Sequence, residues 1–243
     1  MAERPEESGW FAQQAMKLCV GGPGDIWSAA TCGEANVLLG NPVVATRFYQ
    51  EAGASSVGHY GNISSMRSQL LMLSNRFDVC ELLSSILVIP RVAVFTGHMI
   101  DHPHRSHPRF PPELQILVKE AIKGRLQKLN VGFGYSSAAC GGDILFAEAL
   151  IEINGETNIY LPFSRSDFID VSVSFAGQEW VERFNHVLEK SSRSVYATEE
   201  GYCGDDFLFR YLGQVMLGGA LLRADQLEAE AIAVLWLIRA PKR

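Results

Sequence analysis

Residues 134 to 149 place a run of small side chains directly before a segment with apolar residues at helical spacing. Gly141, Gly142 and Asp143 stand at the transition, where a strand can pass into a helix through a loop that lets a ligand approach the backbone. The new helix would offer unpaired N–H groups to an anion, and Asp143 is a good residue for its N-cap. The alternative is a tight βα turn whose glycines serve geometry only.

A second polar segment, residues 98 to 111, contains four of the six histidines. Its side chains suit anion handling: a carboxylate can orient neighbouring groups, and a guanidinium fork can face a phosphate or carboxylate. The residues assigned to this task are Thr96, Gly97, His98, Asp101, and Arg105 or Arg109. Equally, Asp101 and Arg109 can form a structural pair within the loop. A metal cluster is not favoured, because Asp101 is the only carboxylate of the segment.

Nucleophilic side chains near the glycines lack the surroundings that catalysis requires. Ser136 and Ser137 do not lie in a G-x-S-x-G elbow, and Cys140 is better explained as a small apolar filler than as a thiolate. The sequence contains neither a G-x-x-x-x-G-K-[ST] nor a G-x-G-x-x-G motif. No catalytic residue is therefore assigned, although Glu148 would be the acid or base if the domain were a nucleotide-processing hydrolase.

The elements that must position these residues alternate, from Pro90 onward, between apolar strands and helices. This order predicts an α/β fold, a Rossmann-like parallel sheet covered by helices, with the first strand centrally placed. Ligands of such sheets bind beyond the carboxyl ends of the strands, where these residues and Pro162 are expected to meet. The predicted strands are 92–96, 131–135, 158–162, 194–197 and 231–238, and the predicted helices are 112–129, 143–153, 175–191 and 206–222.

Residues 1–89 instead follow helical periodicity and predict a short all-α region before the sheet. Within it, small and aromatic residues fall at the separations of the packing positions in a tetratricopeptide repeat. These positions are Gly33, Ala45, Tyr49 and Ala52. A third helix is expected over residues 64–87. One degenerate repeat cannot bury its own face, so the segment either packs on the next domain or is the remnant of a longer array.

Composition and charge limit the classes of function. With 47% hydrophobic and 20% charged residues the chain of 243 residues is ordinary globular protein, and its formal charge of -6 argues against a general nucleic-acid binder. Five scattered cysteines without C-x-x-C spacing predict neither a disulfide framework nor a zinc site. Without a recognisable signal peptide or an uninterrupted apolar span, the expectation is a cytoplasmic protein with no membrane partner and no cofactor.

The segment Ser137-Ala-Ala-Cys-Gly-Gly-Asp-Ile-Leu-Phe-Ala-Glu-Ala-Leu150 resembles the first ligand loop of the SLOG superfamily. This Rossmann-like group includes the DNA-processing protein A and the lonely-guy phosphoribohydrolases. Residues 95–101, with Pro-Arg-Phe-Pro at 108–111, and residues 216–224 are similar to a bacterial branch found behind tetratricopeptide or TRAFs-binding-like helical regions. The resemblance covers residues 90–238 and implies a domain that senses or processes nucleotide-derived ligands. The matching ligand-loop positions are Gly97, Ser137, Gly141, Gly142 and Asp143.

The chain departs from the enzymatic members of this superfamily. They carry a later Pro-Gly-Gly-x-Gly-Thr-x-x-Glu loop, whereas here the sequence after the fifth strand reads Leu237-Ile-Arg-Ala-Pro-Lys-Arg243. The leading hypothesis is a non-enzymatic SLOG-type domain, residues 90–243 and shortened at its C-terminus, that senses a nucleotide-derived ligand in signalling behind the helical adaptor. The alternatives are a nucleotide-processing hydrolase and a protein-interaction scaffold without a ligand.

The predicted helix 206–222 carries more apolar side chains than one face against a sheet requires. They are Phe207, Leu208, Tyr211, Leu212, Val215, Met216, Leu217, Leu221 and Leu222. A second copy of the chain or another protein is therefore expected to cover part of this helix.

Overall fold

The computed structural model describes residues 5–19, 25–75, 77–79, 82–204 and 206–237. Two compact units divide the chain between Ile89 and Pro90, apart from a short segment, Gln226–Glu228, that groups with the first unit. The first unit is helical and the second contains the sheet. Within the described residues no helix is both long and apolar enough to span a membrane.

The helical unit consists, in its described residues, of four α-helices and a π-helical turn over Leu82–Ile86. These are α1 (Pro5–Leu18), α2 (Ile26–Leu38), α3 (Pro42–Ala54) and α4 (Tyr60–Leu73). The predicted helix over 64–87 is wrong in extent, because α4 ends where the Ser74 hydroxyl and N–H both donate to the Leu71 carbonyl. Residues 76, 80 and 81 of that prediction lie outside the described residues.

The small and aromatic residues predicted to pack two helices together do so between α2 and α3. Ala45, Tyr49 and Ala52 are all buried. A Cβ on Gly33 would lie 2.8 Å from the Tyr49 ring, so the glycine lets the two helices approach each other. The likeness to a tetratricopeptide repeat therefore has a packing counterpart in this one helix pair.

The sheet unit contains five strands, and every paired neighbour is parallel. The strands are β1 (Arg91–Gly97), β2 (Val131–Ser136), β3 (Glu156–Leu161), β4 (Arg193–Tyr196) and β5 (Ala231–Trp236), in the order β4-β3-β2-β1-β5. The predicted parallel sheet is confirmed. β1 lies between β2 and β5, but the central position belongs to β2. Residue 238, the predicted end of the fifth strand, lies outside the described residues.

Helices cover both faces of this sheet, as the Rossmann-like prediction requires. They are α5 (Gln115–Lys128), α6 (Gly142–Glu152), α7 (Arg165–Ser172), α8 (Gln178–Lys190) and α9 (Phe207–Leu227). A Cβ on Gly134 would overlap Leu150 of α6, whereas the neighbouring Tyr135 faces Gly219 of α9. Consecutive strand residues point to opposite faces, so α6 and α9 lie on opposite sides. α5 and α8 pack beside α6.

The sequence pattern does not predict α7. Its eight residues are too few and too polar to show an apolar period. Ser164 is its N-cap and accepts a hydrogen bond from the Asp167 N–H at 3.4 Å, while the buried Phe168 ring packs 5.9 Å from that of Phe184. A cap and one aromatic anchor therefore fix this helix through tertiary contacts.

A network of ion pairs joins α5, α6 and α8. The Glu148 carboxylate accepts hydrogen bonds from Nε and Nη2 of Arg183, both at 2.7 Å, and lies 3.0 Å from Lys119 Nζ. Burial alone would raise the pKa of Glu148, but the hydrogen bonds and charges of Arg183 and Lys119 hold it below the usual range. Glu152, one turn later, pairs with Lys119 and Lys123 at 2.7 and 2.6 Å.

Glu148→Gln is expected to lower the free energy of unfolding of the sheet unit by about 1–3 kcal/mol, because Arg183 would lose its charged bidentate partner. The Glu148 side chain is only 14% exposed, whereas Glu152 is 38% exposed. Glu152→Gln, the matched control on the same helix, should therefore cost less than about 1 kcal/mol. Hydrogen exchange of the α6 amides in the whole chain measures both losses.

The effect of Glu148→Gln should also depend on pH. Because the pKa of Glu148 is lowered by folding, its contribution is fully present above the unfolded pKa of about 4.3 and is lost as the pH falls through the folded value. Equal losses in the Glu148 and Glu152 variants at neutral pH would contradict the central role of Glu148 in this network.

Candidate functional site

A cavity of about 470 Å³ opens beyond the carboxyl ends of β1 and β2. Side chains of α7 and of the first half of α9 supply most of its apolar wall. The cavity occupies the edge at which open parallel sheets bind ligands, and its size suits a small molecule. Its lining residues are Phe95, Thr96, Met99, Ser137, Ala139, Asp143, Phe168, Val171, Ser172, Tyr202, Asp206, Phe209, Leu212, Gly213 and Met216.

The predicted ligand residues fall into three groups. Thr96, Ser137 and Asp143 line the cavity. A second group belongs to the two segments that carry these lining residues but is not part of the lining: Gly97, His98, Asp101, Arg109, Gly141 and Gly142. The remaining three predicted residues do not line the cavity either: Ser136, Glu148 and Pro162.

Asp143 is the second residue of α6, because the helix begins at Gly142 with Gly141 as its N-cap. The predicted N-cap role of Asp143 is therefore wrong. Burial raises the pKa of Asp143 to about 7, and hydrogen bonding from the backbone at Ala139 and Gly97 offsets only part of that shift. The cavity thus contains a carboxyl group whose charge changes near neutral pH.

Gly141 and Gly142 pack directly against the chain segment that follows β1. The Gly142 N–H donates to the His98 carbonyl at 2.9 Å, and the Ile100 N–H donates to the Cys140 carbonyl at 3.1 Å. A Cβ on Gly142 would lie 3.0 Å from the Gly97 Cα. The close backbone approach at these glycines is therefore made by the protein itself, and the first amide of α6 is occupied.

The loop after β1 is closed by Asp101. Its Oδ2 accepts hydrogen bonds from the N–H groups of Arg109 at 2.7 Å and Phe110 at 2.8 Å, and its Oδ1 lies 3.4 Å from Arg105 Nε. Asp101 thus orders the loop through the backbone of Arg109, whose side chain is exposed. Burial, followed by the charges of Arg109 and Arg105, lowers the pKa of His98, which favours its neutral ring.

The histidines of this loop do not assemble a metal site. Across the described ranges no three His, Cys, Asp or Glu side chains come together in a way that could hold a metal ion. The His102 ring instead stacks on Phe175, with centroids 3.7 Å apart.

Ser136, Cys140 and Pro162 are buried at the strand ends. The Ser136 hydroxyl has no hydrogen-bond partner among the described residues and does not line the cavity. Burial raises the pKa of the Cys140 thiol to about 12, so it is not a thiolate at neutral pH and packs as the predicted apolar filler. Glu148, the acid or base of the hydrolase alternative, is held by Arg183 and Lys119.

Sequence reasoning missed the walls that α7 and α9 contribute. The Tyr202 N–H donates to Asp167 Oδ2 at 2.7 Å, which ties the segment before α9 to α7. The Phe163 ring packs against Tyr202 and Phe209, with centroids 5.0 and 5.4 Å away. These contacts bring two segments that are distant in sequence to the same edge of the sheet.

The sequence did contain one signal of these walls, since α9 carries more apolar side chains than packing against the sheet requires. Phe209, Leu212 and Met216 line the cavity. Another set of apolar side chains on this helix is exposed: Phe207, Tyr211, Leu217, Leu221 and Leu222. The surplus therefore has two explanations, a cavity wall and an uncovered surface.

Gly141→Ala should destabilise the sheet unit more than Gly177→Ala. Both glycines have a left-handed φ, +107° and +109°, which alone costs a residue with a Cβ about 1–3 kcal/mol. A Cβ at Gly141 would also lie 2.6 Å from the Ile100 nitrogen, whereas one at Gly177 would meet nothing within 4 Å. Overpacking should add about 1–3 kcal/mol at Gly141 alone, as measured by denaturant unfolding. Equal destabilisation would show that the two loops are not interlocked.

Asp143→Asn should make the stability of the sheet unit less dependent on pH. A carboxyl whose pKa rises from about 3.9 to about 7 on folding makes stability fall as the pH increases between those values. Between pH 4 and pH 8 the free energy of unfolding of the natural protein should fall by on the order of 1–4 kcal/mol relative to that of the Asn variant, as measured by hydrogen exchange of α6.

The control for that experiment is Asp167→Asn, which should show the opposite trend. The hydrogen bond from the Tyr202 N–H lowers the pKa of Asp167, so the stabilisation by this carboxylate is fully present above about pH 4 and is lost as the pH falls through the folded pKa. An Asp143 variant that follows the same pH trend as the Asp167 variant would overturn the assignment.

The sequence matches no protein-family model and has no significant match among curated proteins. The likeness to SLOG domains therefore depends on the motifs quoted above.

Proposed function

We propose that the sheet unit binds a nucleotide-derived small molecule in the cavity beyond β1 and β2, and that the protein is a non-enzymatic sensor of the SLOG type. The observation that carries this proposal is the cavity itself: about 470 Å³, placed at the ligand edge of a parallel sheet, with Asp143 on its wall. The helical unit is the proposed adaptor, and the setting is the bacterial cytoplasm.

The cavity has the mixture of groups that nucleoside recognition requires. Half-buried aromatic rings, Tyr202 and Phe209, offer surfaces on which a base can stack. Hydroxyl groups of Thr96 and Ser137 and the carboxyl group of Asp143 can accept or donate hydrogen bonds to a ribose or a base edge. A few polar groups on an otherwise apolar wall are typical of small-molecule sites.

Hydrolysis of such a ligand is the second candidate function, and one observation favours it. A carboxyl with a pKa of about 7 in a cavity is suited to general acid–base catalysis at neutral pH. This role falls to Asp143, since Glu148 is held by Arg183 and Lys119 outside the cavity lining.

The proposal also includes a protein partner. Phe207, Tyr211, Leu217 and Leu221 are exposed on α9, and an apolar helix surface of this kind is commonly covered by another subunit. In a sensor, α9 would then contact both the ligand and the partner. A homodimer and a different protein remain the two candidates for that partner.

Gly213→Phe should abolish ligand binding, because Gly213 lines the cavity and a larger side chain there would occupy the space of the ligand. A Cβ at this position would meet nothing within 4 Å, so the substitution is not expected to disturb the packing of the protein. The matched control is Gly218→Phe on the same helix, where a Cβ also meets nothing within 4 Å and the residue does not line the cavity. Thermal shift with AMP, ADP-ribose, NAD and nucleosides is the measurement. A ligand at about 100 times its Kd should raise the free energy of unfolding by roughly 2.7 kcal/mol in the natural protein and in the control variant, but not in Gly213→Phe.

Two outcomes would contradict nucleotide binding in this cavity. One is the absence of stabilisation by every compound of the panel. The other is stabilisation that survives unchanged in Gly213→Phe. Turnover of a bound compound by the natural protein, lost in Asp143→Asn, would instead establish the hydrolase.

A further inference from the structure

We propose that the part of the ligand that enters the cavity is positively charged, as the base of a cationic nucleoside is, and that a phosphate does not enter. This inference rests on the proposed function, since it concerns the occupant of the same cavity. It names the charge and the chemical class of that occupant.

The charges on the cavity wall are acidic. Asp143 and Asp206 both line the cavity, while none of the described lining residues is Lys, Arg or His. The remaining polar side chains there are hydroxyl groups. A phosphate inside would meet the carboxyl groups of the partly buried Asp143 and the exposed Asp206 with no cationic side chain in the described lining, whereas a cation would pair with them.

Backbone N–H groups at the start of α6 do not take the place of cationic side chains. A helix N-terminus can hold an anion when its first amides are unpaired. At α6 the Gly142 N–H is bound to the His98 carbonyl at 2.9 Å, and the Ile144 N–H donates to the Ala139 carbonyl at 3.4 Å. Arg105 and Arg109, the predicted phosphate ligands, are exposed on the neighbouring loop and are not part of the lining.

The aromatic residues favour the same class of occupant. Tyr202 and Phe209 are half-buried and line the cavity, and the face of an aromatic ring attracts cations. A flat aromatic cation can therefore gain ring stacking and a carboxylate partner at once. A charged nucleobase, or a pyridinium joined to ribose, combines both properties in a molecule of suitable size.

The protonation of Asp143 should reveal whether the bound ligand is a cation or an anion. With a pKa of about 7 it is partly protonated at neutral pH, so a bound cation should expel a proton and a bound anion should recruit one. The other titratable groups around it are Cys140 in its own loop, His98 after β1, and Tyr202 and Asp206 before α9. The lining side chains of α7 and α9 carry no charge.

The test is calorimetry at pH 7.5 with nicotinamide riboside, a cationic nucleoside, and its 1,4-dihydro form, a neutral molecule of almost the same size and shape. Buffers with different ionisation enthalpies report the protons exchanged. The cationic form should bind at least about tenfold more tightly and should release a fraction of a proton, because Asp143 becomes fully charged. Asp143→Asn should remove the proton release and reduce the preference. Asp206→Asn should reduce the preference but keep the release.

The inference would be overturned by no binding of nicotinamide riboside, by equal affinity for its two forms, or by proton uptake when it binds. AMP or inorganic phosphate that binds with proton uptake, and is blocked by Gly213→Phe but not by Gly218→Phe, would overturn the inference while the cavity keeps its proposed nucleotide-binding function. If neither the cationic nucleoside nor any compound of the nucleotide panel binds, both proposals fail.

Discussion

The contact between the loop after β1 and the start of α6 is the constraint on which the site depends. Gly141 and Gly142 lie against the backbone of residues 97–100, and hydrogen bonds in both directions join the two segments. Glycine is required most strongly at Gly141, where a Cβ would lie 2.6 Å from the Ile100 nitrogen, while a Cβ at Gly142 would make a tight contact of 3.0 Å with the Gly97 Cα. This contact brings Thr96 and Met99 of one strand end to the same cavity as Ser137 and Asp143 of the next.

Two carboxyl groups of α6 show how position decides chemistry on one helix. Glu148 meets Arg183 and Lys119, which more than offset the effect of its burial, so its pKa is lowered and its charge is fixed. Asp143 is partly buried on the cavity wall, where desolvation outweighs the backbone hydrogen bonds that favour its charge, so its pKa is raised. The first carboxylate therefore holds helices together, while the second is free to respond to whatever occupies the cavity.

The sequence predicts much of the fold and only part of the site. Runs of apolar and β-branched residues between turn signals predicted all five strands, including β4 and β5, which are only partly buried. α7 has no such pattern, since its place is set by Phe168 and by contacts with distant residues. The glycines of residues 141–142 were recognised as a close approach, but sequence alone cannot tell whether a ligand or the protein's own backbone makes it. The walls of α7 and α9 meet only in the folded chain.

The apolar residues of α9 form two sets, and this division indicates how the proposed sensor would work. One set, including Leu212 and Met216, lines the cavity, and the other, including Leu217 and Leu221, is exposed. A ligand that contacts the first set and a partner that contacts the second would act on the same rigid element. If the ligand favours one position of α9, the partner's affinity changes by the same factor that the partner imposes on the ligand. The two sites would then be coupled across the width of one helix, without a path through the sheet.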